Sequence, residues 1–520
     1  MAADAMAPGG NGHRRPPAPA PPTSRIPVNP PARPRPPARV SSTQLLPRPP
    51  LQPFGVPRPV VEPRRITRIA DRVPLASVYL LVVTLVLFQR FVVPGTEVSV
   101  ALPVAFVVLI GLAARRQLVA DVSRLALYLA AVAVCLIVTV AASSGAGPEP
   151  SISSLLLLVV LYIPLCFRTS AALREQFPRV LEFFQKLMAV TAAGCLLQFA
   201  IQLAGLPYED LFTAVLPPQL IVADFNTTYP IFYGAPILKA NGFVFLEPSF
   251  ASQFLALAII IQLMLGHGWR RIALFGLALV TTVSGTGIAL LGVGLVVLAY
   301  RRGGQWTVRA VLATLFVIVA VSLTPLGEVL AERTGESAVE GSSGNARFVA
   351  PYTSVADAIS RDQTAFLIGR GAGSVDVDKT FFNPQGLLVN YPALPKLAGE
   401  YGVPAALVFL AFVLTVFLRN VPSPTLGWMG IAFYFVLSGS LLQPQTVYVV
   451  WLLTGLFAAG RAGEVAGRRV RLSAAAAPAE RPVAPGRGGS TPGSGPPRPG
   501  PPPAERGMAT TMIRLPGRRS

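Results

Sequence analysis

Apolar runs close to the ~20 residues that cross a bilayer as a helix recur through residues 74–460, separated by charged or Pro/Gly-rich breaks. They fall near 74–93, 98–114, 122–142, 151–167, 187–205, 249–266, 272–284, 286–300, 308–325, 396–418, 426–440 and 446–460, which makes about twelve spans. A chain that is 52% hydrophobic, only 13% charged and of mean hydropathy +0.56 has too little polar surface to face water over most of its length. The fold class expected is an all-α, polytopic membrane protein.

The flanks are of another kind. Most prolines lie in residues 1–73 and 461–520; the first segment holds twelve Arg against three acids and the second eleven against three. Such segments cannot bury enough apolar surface to fold, so both read as disordered tails. Their basicity suits a membrane surface, and no nucleic-acid partner is expected. The N-terminal tail lacks the apolar core and small-residue cleavage site of a secretory signal.

Sidedness follows from the short loops. Arg115-Arg116, Arg168 with Arg174, Arg270-Arg271, Arg301-Arg302 and Arg419 fall on one side together with both tails, and the positive-inside rule makes that side cytoplasmic. Two long segments, near 206–248 and 326–395, then lie outside the cytoplasmic membrane. Only a break at Ser284-Gly285-Thr286-Gly287, splitting the run Ile272 to Tyr300 in two, keeps the downstream Arg on the cytoplasmic side. Ser170 to Lys186, where Leu173, Phe177, Leu181 and Phe184 alternate with charges, suits an interfacial amphipathic helix or a plain connector.

Long external segments this apolar and aromatic are where chemistry belongs. The first ends in Lys239-Ala240-Asn241-Gly242 and Glu247-Pro248-Ser249 at the mouth of the sixth span. The second carries Arg347, the glycine-rich Gly369-Arg370-Gly371-Ala372-Gly373, Tyr391, and Glu400-Tyr401-Gly402 at the head of the tenth span. Taken alone, these are also what snorkelling charges and turn glycines look like. Cys135, Cys166 and Cys195 sit inside apolar runs and only His13 and His267 accompany them, so neither a disulfide framework nor a zinc site is expected.

In order and spacing these elements resemble the bacterial O-antigen ligase and O-antigen polymerase-like membrane family over roughly 150–460: Lys239 with Gly242, Glu247-Pro248-Ser249, the Ser284–Gly287 turn, then Arg347, the Gly369–Gly373 stretch and Glu400-Tyr401-Gly402. The resemblance implies a helical glycosyltransferase of the C-type membrane class. Such an enzyme moves glycan from a polyprenyl-diphosphate carrier to a glycan acceptor on the outer face of the cytoplasmic membrane, with membrane lipids and other polysaccharide-assembly proteins as further partners. Ligases of the family carry a His, then Asn, Ser or Gln, nine residues before a Gly; Tyr391 and Pro392 stand at those positions before Gly402. Lys239 stands where the family usually has Arg. With the ligase His replaced, a polymerase acting on exported repeat units is the leading reading.

Cleaving a glycosyl–diphosphate bond develops negative charge on the leaving oxygens, which calls for fixed cations or a metal. Asp376-Val377-Asp378 has a metal-site spacing in an unconvincing context. A metal-free, cofactor-free site is therefore expected, with Lys239 and Arg347 on the diphosphate. The attacking hydroxyl needs a proton acceptor. Tyr391 is a poor base at neutral pH and is expected to orient or stack on sugar. Glu247 and Glu400 are the catalytic candidates, since desolvation at a membrane interface can tune a carboxyl; for Glu400, a helix-start acid favoured by the dipole is the alternative. A transporter or flippase of an amphiphilic solute also suits twelve spans, although charges within them are nearly absent, and an envelope scaffold is a third possibility.

Overall fold

The computed structural model describes residues 75–144, 149–222, 225, 227–232, 234–266, 268–303, 345, 348–377, 391–437 and 441–460. Both tails, the expected span 308–325, Arg347 and Asp378 lie outside them.

Helices stand at every other expected span: α1 (Ala76–Leu87), α2 (Ala101–Ala114), α3 (Val122–Ser143), α4 (Ile152–Tyr162), α5 (Phe177–Leu203), α6 (Pro248–Leu265), α7 (Trp269–Thr281), α8 (Gly285–Arg302), α11 (Ala393–Leu418), α12 (Pro424–Ala432) and α13 (Pro444–Leu453). Two further helices, α9 (Ala350–Arg361) and α10 (Gln363–Ile368), precede α11. Among the described residues, α3, α5, α6, α8 and α11 are long and apolar enough to cross a membrane; α1, α2, α4, α12 and α13 are shorter apolar helices. Local chemistry sets several starts. The Asp121 side chain accepts from the Ser123 and Arg124 amides and begins α3, Ser151 does the same for α4 through Ser154, and Pro248 opens α6, where its missing N–H costs nothing.

Helix α6 is the axis of the bundle, with an unbroken buried run from Phe250 to Gln262, enclosed by α5, α7 and α8. Close approach of α8 depends on its glycines. A Cβ at Gly287 would lie 2.5 Å from Ser252, and one at Gly294 would lie 2.6 Å from Ile260, so small residues let two backbones meet as they do within bilayers. Helix α3, by contrast, packs against α11 on one side and exposes Val122, Leu129, Leu136, Ile137 and Val140 on the other, an apolar face suited to lipid chains.

The basic loops gather at one end of the bundle. There a short antiparallel ladder pairs β1 (Leu118–Ala120) with β2 (Phe167–Thr169), Arg168 reaches Asp121 at 3.6 Å, Arg419 donates to Ser123, and Ala459 N–H donates to the Asn420 carbonyl. Phe177 at the start of α5 packs on Phe457, and Arg302 donates to the Leu263 carbonyl. At the opposite end Val92 N–H bonds Leu220, Ser151 N–H bonds Ala372, and Ala240 N–H bonds Thr281. Arg302 thus stands at the basic end, and α9 and α10 at the other.

The run Ile272 to Tyr300 does break in two, at residues 282–284, where Val283 takes a left-handed φ of 43°. Ser170 to Lys186 is not a separate interfacial helix: after a single turn, Ala171–Arg174, it continues directly into α5. The reason is that Leu173, Phe177, Leu181 and Phe184 are buried in protein, in phase with Met188 and Cys195 further along α5, so no lipid-facing stripe is left. Helix α11 starts at Ala393, three residues early, and bends sharply at Gly402.

Candidate functional site

The segment that carries Lys239 is held by two glutamines on α5. Gln198 Oε1 accepts the N–H groups of both Asn241 and Gly242, while Gln202 accepts from the Leu238 N–H and donates to its carbonyl, an amide ladder extended to a loop. Asn241 closes the turn, accepting from Phe243 N–H and donating to the Phe245 carbonyl. Gly242 is required here. Its φ is +64°, and a Cβ would lie 2.9 Å from Cys195 Sγ and 3.0 Å from the Thr191 carbonyl. Lys239, half-buried beyond this clamp, places its ammonium 5.7 Å from the Tyr229 ring centroid, and its N–H bonds the Tyr229 carbonyl.

A buried ion pair backs the turn. Arg90, just past α1, makes a two-pronged pair with Asp210, with Nη1 to Oδ1 at 2.6 Å, and donates to the Phe243 carbonyl at 3.3 Å. Asp210 also accepts from Thr227 and caps a short helix through Phe212 N–H. Burial alone raises the Asp210 carboxyl, but the hydrogen bonds from Arg90 and Thr227 and the Arg90 charge outweigh it and hold the group below its ordinary value. Phe243 is an aromatic residue at φ 68°, a strained conformation kept in place by these contacts.

Glu247 lies at the start of α6, 8% exposed, in extended backbone. Its Oε2 accepts the Ser249 hydroxyl at 2.8 Å. From there a line of hydroxyls crosses to α8: Ser252 donates to the Ser249 carbonyl and lies 3.4 Å from Thr286, which lies 3.0 Å from Ser284. The Glu-Pro-Ser segment and the Ser-Gly-Thr-Gly stretch that begins α8, 35 residues apart, are therefore one polar seam. Ala240, next to Lys239, donates its N–H to the carbonyl of Thr281 at the end of α7, three residues before Ser284.

The second long segment locks onto the bend in α11. At Gly402 φ is 77° and ψ 165°, and Pro404 lacks the N–H that would have bonded the Glu400 carbonyl, so the helix leaves two carbonyls without helical partners. The glycine-rich loop fills them: Arg370 N–H donates to Gly399 at 2.9 Å and Gly371 N–H to Glu400 at 2.8 Å. Any Cβ on Gly369 would overlap the Glu400 carbonyl, and one on Gly402 would lie 2.5 Å from that of Leu367. Gly371 and Gly373 press in turn on Pro150 and Ser151. In the N-terminal half of α11, Glu400 is wholly buried and pairs with Lys396 at 3.5 Å. The Tyr391 hydroxyl lies 3.1 Å from Ser354 on α9, and its ring packs in a small cluster with Val355, Ala358 and Val375.

Four of the five residues singled out in the sequence, Lys239, Glu247, Tyr391 and Glu400, thus stand at the end opposite the basic loops, in two groups; Arg347 lies outside the described residues. Lys239 and Glu247 stand in the segment that leads into α6, Glu247 in the hydroxyl seam and Lys239 beside Tyr229, and Tyr391 and Glu400 belong to the assembly around the α11 bend. Among the described residues, no group of three or more His, Cys, Asp or Glu side chains is gathered as a metal site would need. The pair Arg90–Asp210 and the clamps Gln198 and Gln202 were not among the candidates. A signal for them existed, since amides four residues apart inside one apolar span and an Arg at the end of another are costly unless engaged.

The model of one family, the WcaD colanic acid polymerase family, matches residues 77–458, nearly the whole of the helical region and excluding both tails. No curated protein matches the chain. The chain belongs to the WcaD colanic acid polymerase family, a family similar to the O-antigen polymerases.

Proposed function

We propose that this member of a polysaccharide polymerase family joins glycan repeat units at the outer face of the cytoplasmic membrane, taking the growing glycan from a polyprenyl-diphosphate carrier. The observation that carries the reading is that Lys239, Glu247 and the hydroxyl seam all stand at the end of the bundle that lacks the basic loops. That end is the external one if the twelve-span, positive-inside topology holds, with both termini cytoplasmic. Polymerase activity fits the chain better than ligase activity, because Tyr391 occupies the ligase histidine position and its hydroxyl is engaged by Ser354.

In the reaction proposed, a sugar hydroxyl of the incoming repeat unit attacks the anomeric carbon of the donor glycan. The new C–O bond forms as the bond from that carbon to the diphosphate oxygen breaks, and the carrier leaves as polyprenyl diphosphate. Lys239, with Arg347, neutralises the charge that grows on the leaving oxygens. Glu247 takes the proton of the attacking hydroxyl, and Ser249, hydrogen-bonded to its Oε2, fixes the carboxylate orientation. Glu400 is assigned a positioning role: it is fully buried, ion-paired to Lys396, and its carbonyl anchors the glycine loop. Tyr391 orders α9 against α11 beside the acceptor glycan.

The test is polymer length in cells that express variants at equal membrane abundance. Lys239→Ala and Arg347→Ala abolish polymer, Lys239→Arg keeps a fraction because the charge survives with another geometry, and Glu247→Gln lowers synthesis on the order of 10²-fold. Wild-type polymer from both Lys239→Ala and Arg347→Ala removes this site and shifts weight to a transporter or scaffold role.

A further inference from the structure

At the basic end of the bundle, opposite the site above, a cleft of about 560 Å³ opens between α5, the end of α6 and the start of α7. It is lined by Glu182 and Lys186 of α5, Gln262 of α6, and Gly268, Trp269, Arg270 and Arg271 at the start of α7. Three cations against one acid give it a positive character. The first turn of α7 adds to it: Gly268, its cap residue, offers no side chain, so the leading amides of this 13-residue helix have no side-chain acceptor there.

Gln262 is the independent observation. Its side chain is 0% exposed, yet neither its amide nitrogen nor its oxygen has a hydrogen-bond partner among the described residues, and it lines the cleft. A buried amide without partners is costly, about 1–3 kcal/mol, and it is tolerated where something else supplies the partner. Trp269, 73% exposed at the rim, is the type of residue that settles at the membrane–water boundary. A cationic cleft between helix ends, with a buried amide at its floor and an interfacial indole at its lip, has the chemistry to hold a phosphate group whose remainder lies in the bilayer.

We propose that this cleft binds the phosphate headgroup of an anionic phospholipid, with Arg270, Arg271 and Lys186 on the phosphate and Gln262 hydrogen-bonded to a headgroup oxygen. The bound lipid ties together the ends of α5, α6 and α7, the three helices that hold Gln198, Glu247 and Thr281 at their other ends.

Thermal melting of the purified full-length chain in detergent tests this with three probes: phosphatidylglycerol, phosphatidylcholine and inorganic phosphate. Phosphatidylglycerol raises the melting temperature of the wild type and phosphatidylcholine does not. Half-saturation weakens roughly tenfold in the Arg270→Ala/Arg271→Ala double variant, and is unchanged when the equally basic Arg115 and Arg116 of the exposed turn are both replaced by Ala. Gln262→Leu separates binding from misfolding, because removing an unpartnered amide leaves the lipid-free melting temperature equal or higher while the response to phosphatidylglycerol falls. Equal responses in all variants, or a response to phosphatidylcholine, mean general adhesion of lipid to a basic surface and overturn the proposal. Reproduction of the shift by inorganic phosphate overturns the lipid assignment and makes the ligand a soluble phosphate.

Discussion

Replacing Gly402 by Ala tests the mechanical link between the bend of α11 and the glycine-rich loop. The backbone at Gly402, φ 77° and ψ 165°, is a region open essentially only to glycine and costs an alanine roughly 1–3 kcal/mol. The new Cβ would also lie 2.5 Å from the Leu367 carbonyl oxygen and 2.6 Å from its carbon, both backbone atoms that cannot swing aside. Relief requires the loop to lift, which breaks the hydrogen bonds from Arg370 to Gly399 and from Gly371 to Glu400. With about 1–1.5 kcal/mol for each bond, the total is on the order of 5 kcal/mol, comparable to the whole stability of many proteins. The assay is thermal melting of detergent-solubilised protein followed by fluorescence-detected gel filtration. Gly205→Ala is the control: its φ is +80° but nothing lies within 4 Å of a Cβ, so only backbone strain of about 1 kcal/mol applies. Gly402→Ala should melt far below Gly205→Ala. Equal melting of the two refutes the idea that the loop and the bend share one close contact.

Asp210→Ala strands the Arg90 guanidinium in a buried site, and a loss of about 3–5 kcal/mol is expected, with Asp210→Asn milder; melting of both variants checks this. Since the folded Asp210 carboxyl lies below its ordinary value of 3.8, the stability it contributes is complete above that pH and is lost only as pH falls through the lowered value; melting measured down to pH 3 shows whether Asp210→Asn removes that dependence. Tyr391→Phe loses the contact with Ser354, about 1 kcal/mol, and keeps polymer synthesis, whereas Tyr391→Ala empties the cluster of Val355, Ala358 and Val375 and shortens the polymer made in cells. In intact cells a membrane-impermeant thiol reagent should label Ser360→Cys but not Arg115→Cys, with little background because Cys135, Cys166 and Cys195 are buried; the reverse pattern inverts the topology.

Helix positions were legible in the sequence because, in a bilayer, a long apolar run has few alternatives to a helix. A break in the run Ile272 to Tyr300 was legible from the need to return Arg301-Arg302 to the basic side, but it was expected at Ser284–Gly287 and falls at 282–284, with Gly285 and Gly287 already inside α8. The extent of α5 was not, since charges such as Glu182 and Lys186 look interfacial until the burial of Phe177, Leu181 and Phe184 is known. Lys239 and Glu247 were singled out because ionisable groups at the mouth of a span stand out. Arg90 and Asp210, 120 residues apart, did not stand out, because each is ordinary at a helix end and only the fold makes them a pair. The glycines of 369–373 were visible as a cluster, but their purpose, matching the two carbonyls freed at Gly402 and Pro404, depends on a contact between segments that no local pattern records.

Formation of glycosidic bonds by this chain itself, with Lys239 and Glu247 at the reacting centre, is the proposed activity. Purified protein reconstituted in vesicles with a polyprenyl-diphosphate-linked repeat unit measures it directly, by resolving products according to the number of units. A ladder of lengthening products and released polyprenyl diphosphate is expected from the wild type, no ladder from Lys239→Ala, and a rate lower on the order of 10²-fold from Glu247→Gln in protein that melts normally. A wild-type preparation that leaves the repeat unit unjoined, or moves it across the vesicle membrane unchanged, would contradict it.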